Sequence, residues 1–287
     1  MALPRWVPTA AAIFYVFLWG SAFVPSKYGV LASSPLWFLV VRFVVSGLLA
    51  LLIARAFGSR FPTTARAWGM ILLLGALANA LYLGCQYLAL RHLAAGMGAI
   101  VTSTNPLLLA LIAPYVLHEP LTPRKILGLL LGFGGVVAIM IARAGTGSAM
   151  QGDVLLSFLG VIGSVASTAL FKRFLVDLDV RMTTALQLLA AAVVVFPFAL
   201  LEGPPHATLG PVLALSFAYL VLVMSVGGSL LWFWLLEQGQ ASRVSAFYFL
   251  SPVFGLLIAS FFGEPLTIRD LGGLIAIAIG IAVVQRS

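Results

Sequence analysis

The residues Glu119-Pro120-Leu121-Thr122, followed by Arg124, recur 145 positions later as Glu264-Pro265-Leu266-Thr267, followed by Arg269. Each copy comes after an apolar run that opens with a proline, Asn105-Pro106 in the first half and Ser251-Pro252 in the second. Upstream, Ser21 falls opposite Ser167, Leu90 opposite Leu236 and Ala95 opposite Ala241. A chain that contains one unit twice predicts two structural repeats. We place them at residues 1–145 and 146–287.

The composition is that of a membrane protein. Of the 287 residues, 62% are hydrophobic and only 8% are charged, whereas soluble domains carry roughly 25% charged residues. The net charge is +8, but the basic residues are dispersed along the chain, so no patch suited to nucleic acid is predicted. The single cysteine, Cys85, excludes an intramolecular disulfide and gives no metal-binding motif, and we expect no cofactor.

Stretches of about 20 apolar residues can cross the hydrocarbon core as helices. The sequence predicts an all-α integral membrane protein with ten such spans. Numbered in chain order, they lie near residues 7–29, 36–56, 67–90, 93–117, 124–142, 152–173, 181–201, 211–236, 242–262 and 268–285. The first is interpreted as an uncleaved span rather than a signal peptide, because Ser21 takes part in the repeat.

The orientation follows from the positive-inside rule. With the N-terminus in the cytoplasm, eleven Lys and Arg residues lie at inside positions and four lie outside, namely Lys27, Arg91, Arg143 and Arg269. Both termini are therefore predicted to be cytoplasmic. Five spans per repeat is an odd number, so the second repeat must enter the membrane from the opposite side. Inverted repeats of this kind place a substrate site between them and support alternating access, which favours a transporter.

Several motifs resemble those of the drug/metabolite transporter superfamily, and within it the EamA family. They are Trp19-Gly20-Ser21-Ala22-Phe23 with Lys27, the mid-span prolines Pro106 and Pro252, and the two Glu-Pro-Leu-Thr junctions. The resemblance covers essentially the whole chain and implies a carrier of small metabolites in the bacterial inner membrane. The bacterial exporters of aromatic and neutral amino acids are the most similar in character. Span 6 departs from the pattern, since Ala166-Ser167-Thr168 lacks the tryptophan of span 1.

Polar side chains in mid-span are costly unless they face a cavity or a partner helix. On this argument, together with the deep aromatic residues, we predict a substrate site formed by Trp19, Ser21, Asn79, Tyr82, Gln86, Thr102, Asn105, Ser164, Ser167, Trp232 and Tyr248. For the hydroxyl residues, bonding back to their own helix is the alternative. For the aromatic rings, the alternative is core packing.

A second set of residues is predicted to act as hinges or gates. Pro106 and Pro252 each remove a backbone hydrogen bond near the centre of a span, and Glu119, Glu264 and Lys27 lie at span ends. The plainer interpretation pairs Glu119 with Arg124 and Glu264 with Arg269, with Lys27 as an interface anchor. Arg42, inside span 2, could neutralise a substrate carboxylate or extend to the membrane interface. The sequence slightly favours the interface.

All eight acidic residues lie at or near span ends or in loops, and none is in mid-span, which argues against proton coupling and against cationic drugs as substrates. Core Lys or Arg clusters suited to phosphorylated sugars are also absent from the sequence.

The leading prediction is a facilitative exporter of neutral, aromatic amino acids or similar metabolites. A multidrug or general metabolite carrier of the same fold is the alternative. A lipid-active enzyme and a non-transporting membrane protein are less favoured, because no catalytic set lies in the spans and the repeat would remain unexplained. The expected partners are a small-molecule substrate and lipid, and the oligomeric state is open.

Overall fold

A computed structural model describes residues 6–143, 151–238, 241–263 and 268–285, and its ten helical spans match the predicted ones within a few residues. Spans 2, 5, 6, 7 and 10 are single helices, at Pro35–Ala56, Pro123–Arg143, Gln151–Phe174, Val180–Glu202 and Ile268–Gln285. Seven spans in the described chain are long and apolar enough to cross a membrane. The protein is an all-helical membrane protein, as predicted. The boundary at residue 145 lies outside the described residues and stays a prediction.

The ends of the spans meet on two opposite faces of the molecule. On the face assigned to the outside, Ser34 N donates to His206 O at 2.9 Å and Arg91 pairs with Glu202 at 2.5 Å. On the other face, Ser59 Oγ donates to Asp179 Oδ2 at 2.9 Å. Span 2 therefore runs from the outer face to the inner face, and its equivalent, span 7, runs from the inner face to the outer. Inverted repeats require these opposite directions.

The third span of each repeat contains a π-helical segment at an equivalent position. Span 3 consists of Ala65–Gly75, a π-helix at Ala76–Leu81 and then Tyr82–Ala89, while span 8 consists of Pro211–Tyr219, a π-helix at Leu220–Gly228 and then Ser229–Gln238. The repeat spacing of 146 in this part of the chain superimposes one π-helix on the other. Such segments widen the helix and are frequent at functional sites. Hydropathy alone did not predict them.

The fourth span of each repeat is also interrupted, just before its proline. Span 4 is divided into Ala95–Thr102 and Asn105–Val116, and span 9 into Ala241–Ala246, a 3₁₀-helix at Phe247–Leu250 and Ser251–Phe261. Pro106 and Pro252 are thus the second residues of new helices, where proline is well tolerated. The first spans of the two repeats differ. Span 1 is divided at Ala22 into Trp6–Ser21 and Phe23–Ala32, whereas span 6 is continuous.

Equivalent spans of the two repeats pack along each other, span 2 against span 7 and span 5 against span 10. Glycines bring spans 5 and 10 into backbone contact, since a Cβ on Gly280 would lie 2.5 Å from Gly128 O and from Gly132 N. Gly272 points away, with nothing within 4 Å of its Cβ position. The small residues at this contact therefore pack inside the chain, and the other spans are left to surround a central space.

The glycine contact gives a stability prediction. Gly280→Ala should lower the free energy of unfolding by about 1–3 kcal/mol, because the new methyl group meets backbone atoms that have no room to move. Gly272→Ala is the matched control, since the same change at an open helical position should be neutral or stabilising by about 0.5–1 kcal/mol. Thermal unfolding of both purified variants in detergent measures the difference. Equal melting temperatures would contradict the packing described.

Candidate functional site

A cavity lies between the repeats, and about 60 Å³ of it is wide enough to hold water. Both repeats contribute to it, through spans 1, 2 and 3 of the first and spans 6, 7, 8 and 9 of the second. We name it the central cavity, and its lining consists of Tyr15, Trp19, Arg42, Ala78, Asn79, Tyr82, Leu83, Ser164, Ser167, Gln187, Met224, Ser225, Ser229, Trp232, Phe233 and Tyr248.

A second, smaller cavity adjoins the first on the side of the outer face. This outer cavity is lined in part by Ser26, Gln86, Tyr87 and Leu90. Five residues line both cavities, namely Trp19, Arg42, Tyr82, Leu83 and Met224. A solute that moves between the central cavity and the outer face would therefore pass these side chains.

Five aromatic rings, which we name the aromatic wall, form one side of the central cavity. Trp19 stacks on Tyr82 with ring centroids 5.7 Å apart and on Tyr15 at 5.9 Å, and Tyr15 stacks on Trp232 at 5.1 Å. Tyr248 meets Trp232 edge-on at 5.2 Å, and its hydroxyl lies 2.9 Å from that of Tyr15. The wall joins spans 1, 3, 8 and 9, so both repeats supply a surface on which a planar or apolar group can stack.

Amide side chains supply polar groups beside the wall. Asn79, in the π-helix of span 3, donates from Nδ2 to Gln187 Oε1 at 2.7 Å. Gln86 donates to Thr102 Oγ1 at 3.0 Å and accepts a hydrogen bond from Ser157. An amide buried in hydrocarbon needs several partners, and these contacts leave Asn79 and Gln187 with free positions that face the central cavity.

Arg42 is buried, with 4% of its surface exposed, and it does not extend to the membrane interface as the sequence favoured. Its Nε donates to Ser225 Oγ at 2.9 Å, and its Nη1 donates to Tyr87 OH at 2.6 Å. These partners come from spans 8 and 3, so the guanidinium is held from both repeats. The correction has a physical cause: hydroxyl groups on neighbouring spans bind the guanidinium inside the protein, which removes the need to reach water.

Three of the predicted binding residues line neither cavity. Ser21 Oγ donates to Leu18 O at 2.7 Å, and Thr102 Oγ1 donates to Gly98 O at 2.9 Å. Asn105 Nδ2 donates to Ser164 Oγ at 3.0 Å. Each side chain is turned toward its own helix or a neighbouring one, where it satisfies backbone or side-chain groups. The other eight line a cavity, Gln86 the outer one and the rest the central one or both.

The predicted gate residues lie toward the two faces. Lys27 Nζ donates to the carbonyls of Leu90, Arg91 and Leu93, at 2.7, 3.1 and 2.9 Å, and so caps the end of span 3. Glu119 is buried and lies 3.9 Å from Lys125, whereas the side chain of its expected partner Arg124 is exposed. Glu264 lies outside the described residues. A gating role for this set stays a prediction.

Nine residues of the central-cavity lining are not in the predicted site, and three of them, Tyr15, Gln187 and Arg42, supply a ring, an amide and a charge. Gln187 had a usable signal, because it is the only amide residue between 181 and 201. Tyr15 had none, since a tyrosine in an apolar helix is usually a packing residue. Within the described residues, no group of three or more His, Cys, Asp or Glu is close enough to hold a metal ion.

The chain is similar to known proteins along almost its whole length. The sequence model of the EamA-like transporter family matches the chain twice, over residues 8–141 and 151–286. The chain is 29% identical to the "Uncharacterized transporter YvbV" of Bacillus subtilis, over 99% of this chain and 93% of that protein. It is 28% identical to the "Probable amino-acid metabolite efflux pump" of Salmonella typhimurium, over 95% and 92%. A crystal structure with 20% identity superimposes with a TM-score of 0.80 over 99% of this chain and 98% of that one, which shows the shared fold.

The Asn79–Gln187 hydrogen bond can be tested by a double-mutant cycle. Asn79→Leu and Gln187→Leu should each destabilise the protein, and the double variant should lose less than the sum, with a coupling of about 0.6 kcal/mol as is usual between membrane helices. Unfolding of the four proteins in detergent measures it. Strict additivity would show that the two amides do not interact.

Proposed function

The chain belongs to the EamA-like transporter family, and we propose that it exports neutral, above all aromatic, amino acids or similar small metabolites by alternating access. The family consists of transporters, so the protein is a membrane transporter and not an enzyme. The observation that carries the proposal is the composition of the central cavity, which combines an aromatic wall with amide and hydroxyl groups. An amino acid with an apolar or aromatic side chain offers the complementary groups.

The charge of the cavity supports a neutral or zwitterionic solute. Among the described residues that line the two cavities, none is Asp or Glu, and the one charged residue is Arg42. A cationic drug would find no counter-charge there. An α-ammonium group can instead bind against the aromatic wall. The relative from Salmonella typhimurium, whose name describes amino-acid metabolite efflux, is consistent with this substrate class.

The lack of Asp and Glu in the described cavity lining also bears on energy coupling. Proton-driven carriers generally hold a carboxylate in the membrane that exchanges a proton for substrate, and the described cavity lining has none. We therefore propose facilitated export down the solute gradient. The proposed location is the bacterial inner membrane with both termini in the cytoplasm, which rests on the distribution of Lys and Arg.

Efflux from liposomes tests the proposal. Purified protein is reconstituted into vesicles loaded with labelled phenylalanine, tryptophan, threonine or methionine, with and without an imposed pH gradient. We expect saturable efflux of phenylalanine and tryptophan that the pH gradient does not change. Efflux that requires the gradient would contradict the facilitative mechanism, and no efflux of any of the four would contradict the proposed substrate class.

Two tryptophan variants link the flux to the cavity. Trp19→Ala removes the ring shared by both cavities and should raise the half-saturation concentration for phenylalanine about two- to tenfold, the equivalent of one lost aromatic contact. Trp68→Ala is the control, because Trp68 lies near the start of span 3 with 44% exposure and lines neither cavity. Equal effects of the two substitutions would place the transport path elsewhere.

A further inference from the structure

The guanidinium of Arg42 is a permanent positive charge buried within a membrane span. Arg42 lies seven residues into Pro35–Ala56, about 10 Å from the start of the helix at 1.5 Å per residue. A charge at such depth is costly and is retained where it has a function. Because 4% of the residue is exposed, the side chain does not recover this cost by reaching water at the interface.

The partners of Arg42 do not neutralise its charge. Both are neutral hydroxyls, Ser225 and Tyr87. In the described part of the chain, no carboxylate forms an ion pair with Arg42, and the acidic residues of the sequence lie at span ends or between spans. The hydrogen bonds orient the guanidinium, but its electrostatic partner has to come from outside the described chain.

The guanidinium also has donors to spare. It carries five N–H groups, and the described residues engage one on Nε and one on Nη1. Nη1 therefore keeps one donor and Nη2 keeps two, enough for a carboxylate to accept two hydrogen bonds from the guanidinium. Arg42 lines both cavities, which places the guanidinium beside the space that a solute would occupy.

The aromatic wall defines the rest of the ligand. Trp19 belongs to this wall and lines the same two cavities as Arg42. A solute bound here therefore meets a cation and an aromatic surface together.

We propose that Arg42 is a substrate-binding residue that holds the carboxylate of the transported solute, and that the substrates are monocarboxylates with an apolar or aromatic body. The proposal rests on the proposed function in assuming that the central cavity is the transport site. It narrows the substrate class, because amides, esters and amines of the same size lack the group that Arg42 binds. A zwitterionic amino acid and a simple carboxylic acid share the carboxylate, and only an experiment distinguishes them.

Three probes of matched size separate the contribution of the carboxylate from that of the ammonium group. Phenylalanine carries both charges, 3-phenylpropionate carries only the carboxylate, and phenylalaninamide carries only the ammonium group. Binding of each to the purified wild-type protein is measured by titration calorimetry, and efflux of each from liposomes is measured in parallel. We expect phenylalanine to bind at least about tenfold more tightly than phenylalaninamide, since charge-assisted hydrogen bonds to the guanidinium are lost with the amide.

Variants at position 42 provide a second test of carboxylate binding. Arg42→Gln should weaken binding of the carboxylate probes about tenfold or more while it leaves phenylalaninamide unchanged, and Arg42→Lys should give intermediate affinity. Arg55→Gln is the matched control, because it removes the same charge from the same helix at the exposed inner end. Should Arg42→Gln fail to fold, the comparison of acid and amide on the wild-type protein decides the question alone.

The outcomes separate this inference from the proposed function. If 3-phenylpropionate binds in an Arg42-dependent way and phenylalanine is neither bound nor moved, carboxylate binding stands and amino-acid export falls. If phenylalanine and phenylalaninamide are bound and exported alike, with no effect of Arg42→Gln, amino-acid export stands and the inference is overturned. If neither carboxylate binds, both are overturned.

Discussion

Inside the hydrocarbon of a membrane, a polar group has no water to bond with, so it must find its partner within the protein or line a space that holds water or solute. This constraint accounts for most of the features described here. The hydroxyls before Pro106 bond back to carbonyls of their own helix, as Thr104 Oγ1 does to Val101 O at 2.8 Å. Lys27 caps the end of span 3. The groups left with spare hydrogen-bonding capacity, above all Arg42, Asn79 and Gln187, converge on the central cavity.

The two repeats contribute to this cavity through equivalent irregularities in their helices. The π-helices of spans 3 and 8 carry Asn79 and Ser225 into the lining, and the interruptions of spans 4 and 9 lie just before equivalent prolines. Irregular backbone is tolerated at membrane depth where it is buried in protein or lines a cavity. The symmetry is incomplete, because span 1 is divided and supplies Trp19 whereas span 6 is continuous and supplies Ser164 and Ser167. The resulting site combines a positive charge with an aromatic surface.

The sequence predicted the ten spans well, since long apolar runs and their charged ends depend on composition alone. It also predicted eight residues that line a cavity, because polar groups in mid-span have few other places to go. It could not separate these from Ser21, Thr102 and Asn105, whose direction depends on which helix packs against them. The π-helices were missed because one additional residue in a helical turn leaves no mark on hydropathy. Arg42 was undervalued because its hydroxyl partners, Tyr87 and Ser225, lie 45 and 183 residues away in the chain.

The central claim is that the space between the repeats is a water-filled path rather than packed core. Cysteine labelling tests it most directly, in a Cys85→Ser background and with a membrane-impermeant sulfonate thiol reagent. Ala78→Cys from the first repeat and Ser229→Cys from the second should react from water, and phenylalanine should slow both reactions. Leu222→Cys, on a surface that is 55% exposed outside the cavities, should stay inert in the bilayer. If the two cavity positions were as inert as position 222, the cavity would be packing and the account would be wrong.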